Sequence, residues 1–237
     1  MDESIKKQIL ITGKNSYIGT MIKKYLDQFP DRYNVHLLDV RDAEWEKFDF
    51  SKWNVVINVT GIAHKSEDEV VSGDYYKINR DLCLKIAERA KEKNVSHFIQ
   101  MSTMAVFGDS IEKIEKSSPL NAKTHYGLSK LQADYILQLM EDSQFHVCIV
   151  RPPMVYGKDS KGNYSKLSNF IKKIPVFIKY ENKRSILYIK NLSIYIKYII
   201  DCNIRGIVFP QNSEYVSTND LVNEIAKQNG KKIIFIP

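Results

Sequence analysis

Five short apolar runs recur along the first two thirds of the chain and alternate with longer amphipathic stretches. Gln8–Thr12 (QILIT), Tyr33–Asp39 (YNVHLLD), Val55–Val59 (VVINV), His97–Met101 (HFIQM) and Val147–Arg151 read as buried strands. After the first, Ile18, Met21, Ile22, Tyr25, Leu26 and Phe29 recur at three and four residues, an amphipathic helix stopped by Pro30. Tyr75–Lys93 predicts a helix with Ile78, Leu82, Ile86 and Ala90 as its buried stripe and Asn79 beside it. Residues 125–141 predict another, burying Leu128, Leu131, Tyr135 and Leu139. Strands alternating with helices predict an α/β fold, a doubly wound parallel sheet with ligands at the strands' carboxyl ends.

Beyond Gly157 the pattern loosens. A loop (Lys158–Asn163), a helix near Leu167–Lys173 and a short strand Ile186–Ile189 are expected. Helices over Asn191–Cys202 and Thr218–Gln228, and extended segments at Ile207–Pro210 and Ile233–Ile236, complete the chain. We therefore expect a dinucleotide-binding region, 1–157, and a mainly substrate-binding region, 158–237, with later segments returning to the sheet.

The 237 residues suit one large α/β domain. A hydrophobic content of 43% and a charged content of 27% are ordinary for a globular protein. No apolar run approaches a membrane span, and MDESIKKQ lacks a signal-peptide core, so a cytoplasmic protein without a membrane partner is expected. Cys83, Cys148 and Cys202 are widely spaced without a CxxC, and the histidines show no ligand spacing. Reduced thiols and no metal site follow. The net charge of +7 is regional: Arg151–Lys190 holds ten basic and two acidic residues, a local +8. An anionic ligand such as a phosphorylated molecule fits that concentration. A solvated lysine-rich surface, or nucleic acid contacted through the interleaved Tyr164, Phe170, Phe177 and Tyr180, are the other readings.

Chemistry enters at the strand ends. The first strand runs into Gly13-Lys14-Asn15-Ser16-Tyr17-Ile18-Gly19 and then a helix, so backbone N–H groups and the positive helix end face a common point, suited to a pyrophosphate. Gly13 allows the tight turn and Gly19 close helix–strand packing. Ser16 stands where the fingerprint has its middle glycine and is tolerable with φ negative. Asp39 follows Gly19 by 20 residues, where a dinucleotide fold places the acid for the adenosine ribose. It favours NAD, although Arg41 leaves NADP open. Asp49 and Phe50 are placed to flank the adenine, an exposed acid and a core Phe being the plainer alternative. Tyr126 and Lys130 lie four apart, on one helix face. A free phenol titrates near ~10. An adjacent ammonium is expected to lower that, giving a usable acid/base.

These residues together resemble the extended short-chain dehydrogenases/reductases, the NAD-dependent epimerase/dehydratase family acting on nucleotide-diphosphate sugars, with a Rossmann-type sheet. TGKNSYIG resembles TGxxGxIG, STMAVFG resembles SSxxVYG, YGLSK resembles YxxxK and RPPMVYG resembles RPxxVYG. The resemblance implies that Gly13, Ser16, Tyr17, Ile18, Gly19, Asp39, Asp49, Phe50 and Pro153 contact the cofactor. It makes Thr103 the hydroxyl on the sugar oxygen, with Ser102 at the same strand end. Tyr126 becomes the acid/base, and Lys130 the group that holds the nicotinamide ribose and tunes Tyr126. Arg184 resembles the arginine that clamps the substrate diphosphate, and Asn163 a substrate-contacting asparagine. Met154 departs from the asparagine of many sugar epimerases. Met104-Ala105 replaces the Asp-Glu of the 4,6-dehydratases, which argues against water elimination. The last part of the substrate region is either abbreviated or lies beyond Pro237.

The activity implied is hydride transfer at C4 of a nucleotide sugar, with epimerase favoured over 4-keto-sugar reductase. A homodimer paired through helices is common in the family, and no nucleic-acid partner is expected. A non-catalytic dinucleotide sensor or nucleic-acid binder is the alternative of another class. Such relatives commonly lose the Tyr/Lys pair or the upstream hydroxyl, all of which survive here.

Overall fold

The computed structural model describes residues 6–63, 72–160 and 162–237. Its strands are β1 (Lys7–Thr12), β2 (Tyr33–Leu38), β3 (Val55–Asn58), β4 (His97–Met101), β5 (His146–Val150), β6 (Met154–Tyr156), β7 (Val176–Ile178), β8 (Ile186–Tyr188), β9 (Gly206–Val208) and β10 (Ile234–Ile236). Its helices are α1 (Tyr17–Leu26), α2 (Ser72–Tyr75), α3 (Cys83–Glu92), α4 (His125–Met140), α5 (Asn163–Ile171), α6 (Ile189–Cys202) and α7 (Thr218–Gln228).

Six strands form one sheet in the order β2-β1-β3-β4-β5-β9, every pairing parallel. Period-two alternation divides their side chains between two cores. Ile9, Ile11, Ile57, Ile99 and Val150 pack with Ile22, Leu26, Leu192 and Ile196 of α1 and α6. Leu10, Val56, Phe98, Val147 and Ile149 pack with Ile86, Ala90, Ala133 and Leu137 of α3 and α4. Both faces are covered, which is why the strands read as continuous apolar runs. β9 closes the sheet from beyond residue 157. Two parallel pairs, β6–β8 and β7–β10, lie outside it, and the second packs with α5 and α7 around Ile171, Val222 and Ile225.

The expected helix over Tyr75–Lys93 is three pieces: α2, a π-helical segment Tyr76–Leu82, and α3. The wider turn rotates the face. Asn79 and Cys83 are buried, whereas Ile78 and Leu82 are half-buried. The stripe expected on α4 is also corrected. Tyr135 and Leu139 are 64% and 70% exposed, and the buried side is Gly127, Ser129, Lys130, Ala133, Asp134 and Leu137. Polar residues occupy the inner face because they line the strand ends. Strands β6 and β7 were not foreseen, since three-residue strands carry no usable period.

His97 opens β4 almost fully buried, and its Nε2 donates to Ile204 O at 3.0 Å, tying the sheet to the loop before β9. Burial lowers its pKa from 6.5 to about 4. Between those values the unfolded chain binds the proton and the folded chain does not, so acidification costs stability. Urea unfolding is predicted to lose up to about 3 kcal/mol between pH 6.5 and 4 through this residue. His97→Gln should flatten that part of the profile; parallel profiles for the two proteins would refute the assignment.

Candidate functional site

The loop after β1 is shaped by three local constraints. Gly13 has φ +88°, and the N–H groups of Gly13 and Lys14 both donate to Leu38 O. Ser16 caps α1 with φ −73°, its Oγ accepting from Gly19 N at 3.3 Å, so a serine satisfies the position without a left-handed backbone. A Cβ on Gly19 would sit 3.0 Å from Val59 Cγ2 and 3.2 Å from Ile11 Cγ2. Glycine there lets α1 lie close against the sheet. Tyr17 Oη donates to Lys158 O at 2.9 Å, joining this loop to the segment after β6, while Ile18 packs at the edge of the core.

Asp39 follows β2 directly. Arg41 Nε donates to its Oδ1 at 2.9 Å and the Arg41 backbone N–H to the same atom at 3.1 Å. These bonds bring the carboxyl down to about 2, so it is ionised at any working pH. Arg41 is thus already engaged by the Asp39 carboxylate.

The second half of the site is assembled by α4. Thr124 caps the helix, accepting from Gly127 N at 3.1 Å. A Cβ on Gly127 would lie 2.8 Å from Ala105 O, so glycine lets the first turn of α4 press onto the short 3₁₀ turn Met104–Phe107. Thr103 caps that turn, its Oγ1 accepting from Ala105 N at 3.1 Å, and its side chain hydrogen-bonds the Tyr126 phenol. One turn on, Lys130 is buried and its Nζ donates to Met101 O at 2.9 Å. Thr103, Tyr126 and Lys130 therefore converge at the end of β4.

The electrostatics differ from the expectation. The Tyr126 pKa is raised, first by burial of the phenolate, with the Thr103 hydrogen bond opposing and the charges of Asp134 and Tyr75 adding. Lys130 is shifted down by its own burial. Its ammonium is directed to a strand-end carbonyl, and desolvation outweighs any lowering of the phenol.

Matching by sequence profile, the NAD dependent epimerase/dehydratase family covers residues 9–202. The chain belongs to that family. UDP-glucose 4-epimerase of Vibrio cholerae is 27% identical over 257 residues, 95% of this chain and 76% of that protein. N-acetyl-α-D-glucosaminyl-diphospho-ditrans,octacis-undecaprenol 4-epimerase of Escherichia coli O157:H7 is 23% identical, over 95% and 73%. Among solved structures, a dTDP-4-dehydrorhamnose reductase from Clostridium acetobutylicum superposes with a TM-score of 0.83 at 25% identity, over 97% of this chain and 83% of that one. The cofactor class is NAD(P), as the family's is.

Other expected site residues of this family member fall as follows. Asp49 is exposed and accepts from Ser51 N and Oγ, while the Phe50 side chain is fully buried against Trp45 and Phe48. Phe50 therefore offers a ligand only its backbone. Pro153 is half-buried between β5 and β6. Ser102, placed by resemblance at the substrate end, turns its hydroxyl away to Asp134 Oδ2 at 2.7 Å. Arg184 is exposed just before β8, its backbone paired in both directions with Val216. Asn163 begins α5, and its side chain lies outside the described residues. Among the described residues, no group of three His, Cys, Asp or Glu could hold a metal, and no helix is long and apolar enough to cross a membrane.

Two supporting clusters escaped the sequence reading. The Asn79 carboxamide accepts from Ile62 N at 2.8 Å and donates to Ser129 Oγ at 3.1 Å, tying the loop after β3 to α4. A Cβ on Gly61 would meet Asn79 Oδ1 at 2.9 Å and Lys130 Nζ at 3.1 Å, so this loop passes directly over the lysine. Beneath it, buried Asp134 accepts from Arg151 Nε at 3.0 Å as well as from Ser102. Asp134 falls four residues after Lys130 on the same helix face, which was the available signal.

Proposed function

We propose that the protein is an NAD-dependent nucleotide-sugar 4-epimerase. The observation that carries the reading is the convergence of the Tyr126 phenol with the Thr103 hydroxyl, one helical turn from anchored Lys130. The similarity to UDP-glucose 4-epimerase across 95% of the chain supports it. Gly13, Ser16, Gly19 and Asp39 would hold the cofactor's diphosphate and adenosine ribose, and Lys130 its nicotinamide ribose. When bound, NAD supplies a reversible hydride acceptor at a sugar ring carbon. Thr103 orients the C4 oxygen toward Tyr126. The phenolate form of Tyr126, which the positive charge of an oxidised nicotinamide ring would favour over the resting phenol, takes the hydroxyl proton as the 4-keto sugar forms. The phenol so made returns that proton when the opposite configuration is made. Arg184, exposed just before β8, would clamp the substrate diphosphate by a guanidinium fork.

Reduction of a 4-keto nucleotide sugar is the second reading. Burial keeps Tyr126 protonated at neutral pH, the form that donates to a keto oxygen, and the reductase of Clostridium acetobutylicum shares the architecture. A polyprenyl-diphosphate sugar, as in the name of the Escherichia coli relative, is a further substrate class. Met104 and Ala105 supply no acid or base for dehydration.

Incubation with UDP- and dTDP-sugars, with and without NADH, separates the readings. Turnover without net NADH loss is expected; stoichiometric NADH consumption would move the assignment to a reductase. Tyr126→Phe should lower turnover by about 10²-fold or more with cofactor binding retained. An unchanged rate would remove Tyr126 from the mechanism.

We also propose that the outward stripe of α4, with Tyr135 and Leu139, pairs two copies of the chain in a homodimer. Tyr135→Glu/Leu139→Glu should halve the mass seen by sedimentation velocity, and a wild-type mass of one chain would discard the proposal.

A further inference from the structure

The β7–β10 pair has an unusual outer face. Register places Val176 opposite Ile234 and Ile178 opposite Ile236, and the central residues Phe177 and Phe235 turn inward against α5 and α7. The four flanking aliphatics point out: Val176 is 37% exposed, Ile178 65%, Ile234 63% and Ile236 41%. Four adjacent β-branched side chains held in water on a two-stranded ribbon form a contiguous apolar patch rather than scattered exposure.

The sequence around both strands is rich in lysine, with acids at its margins, at Asp159, Glu181 and Glu224. Residues 160–180 and 225–237, which contain both strands, carry eight lysines and not one acid. Lys173 and Lys232 lie just before the two strands and Lys179 directly after β7, all exposed. Lys231 is different: its Nζ donates to Lys172 O at 2.6 Å, closing α5 onto the strand before β10. This bond fixes the ribbon's base and leaves the exposed Lys173, Lys179 and Lys232 next to the two strands.

We propose that this face docks peripherally on an anionic phospholipid bilayer, with the four aliphatics at the headgroup–acyl boundary and the lysines at the lipid phosphates. An aliphatic centre with a lysine rim matches that interface, because lysine stems lie along apolar surface while the ammonium reaches the headgroups. The chemistry disfavours other occupants. Valine and isoleucine give bases no stacking platform. Lysine is depleted at protein interfaces. A second copy would set two lysine rims against each other. Such a contact is peripheral and needs no membrane-spanning helix, and none is present among the described residues. It does not depend on the proposed catalysis, since binding needs neither cofactor nor sugar.

Co-sedimentation of the full chain with vesicles tests it. The protein should pellet with vesicles of phosphatidylglycerol and phosphatidylcholine, remain in solution with phosphatidylcholine alone, and be released from the former by high salt. Ile178→Ser/Ile234→Ser and Lys173→Glu/Lys232→Glu should each weaken partitioning by about tenfold or more at an unchanged melting temperature. Equal partitioning to both vesicle types, variants that bind like the wild type, or single-stranded DNA competing the protein off the vesicles at equimolar charge would overturn the proposal. So would a drop in sedimentation mass caused by the isoleucine variant without vesicles, which would assign the face to a second copy.

Discussion

Burying a lysine ammonium is costly unless its hydrogen bonds are replaced, and the candidate site at the strand ends is organised around that requirement. Lys130 meets it by donating to Met101 O at the end of β4. For the lysine to reach that carbonyl, α4 must approach the strand ends closely, which Gly127 allows by removing a Cβ that would strike Ala105 O. The same approach brings Tyr126 to Thr103. One contact therefore sets the distance between helix and sheet and, through it, the geometry of the phenol and the hydroxyl.

The surrounding polar groups hold that arrangement from several elements. Asn79 is turned inward by the π-helical segment and binds both the loop after β3 and Ser129 of α4. Asp134 and Arg151 join α4 to the end of β5, with the Arg151 guanidinium over the Phe107 ring. Strands β3, β4 and β5 are thereby linked to one helix by side-chain hydrogen bonds at their carboxyl ends. In a buried setting such networks strengthen orientation. The Tyr126 phenol is raised by the same burial, so the resting site holds its proton on the tyrosine.

Much of this was readable from residues because the parallel sheet leaves a strong imprint. Strands covered on both faces appear as apolar runs, and their ends are marked by Gly13, Asp39 and Ser102-Thr103. The α4 face was misread for a physical reason: periodicity locates a stripe but not its direction. On a helix whose inner side lines a polar site, Tyr135 and Leu139 take the outer side and Leu128 and Leu131 are half-buried. Asn79 was seen only as a neighbour of an α-helical stripe, because a π turn shifts the register by a residue that no sequence period records. Short strands β6 and β7, and the direction of the Ser102 hydroxyl, depend on tertiary partners such as β8, β10 and Asp134.

A crystal structure with NADH bound tests the central claim most directly. It should place the nicotinamide ribose within hydrogen-bonding reach of Lys130 Nζ, and the nicotinamide ring beside the Tyr126 phenol at the end of β4. A nicotinamide ring found away from Tyr126, or Lys130 withdrawn from both the ribose and Met101 O, would contradict the account.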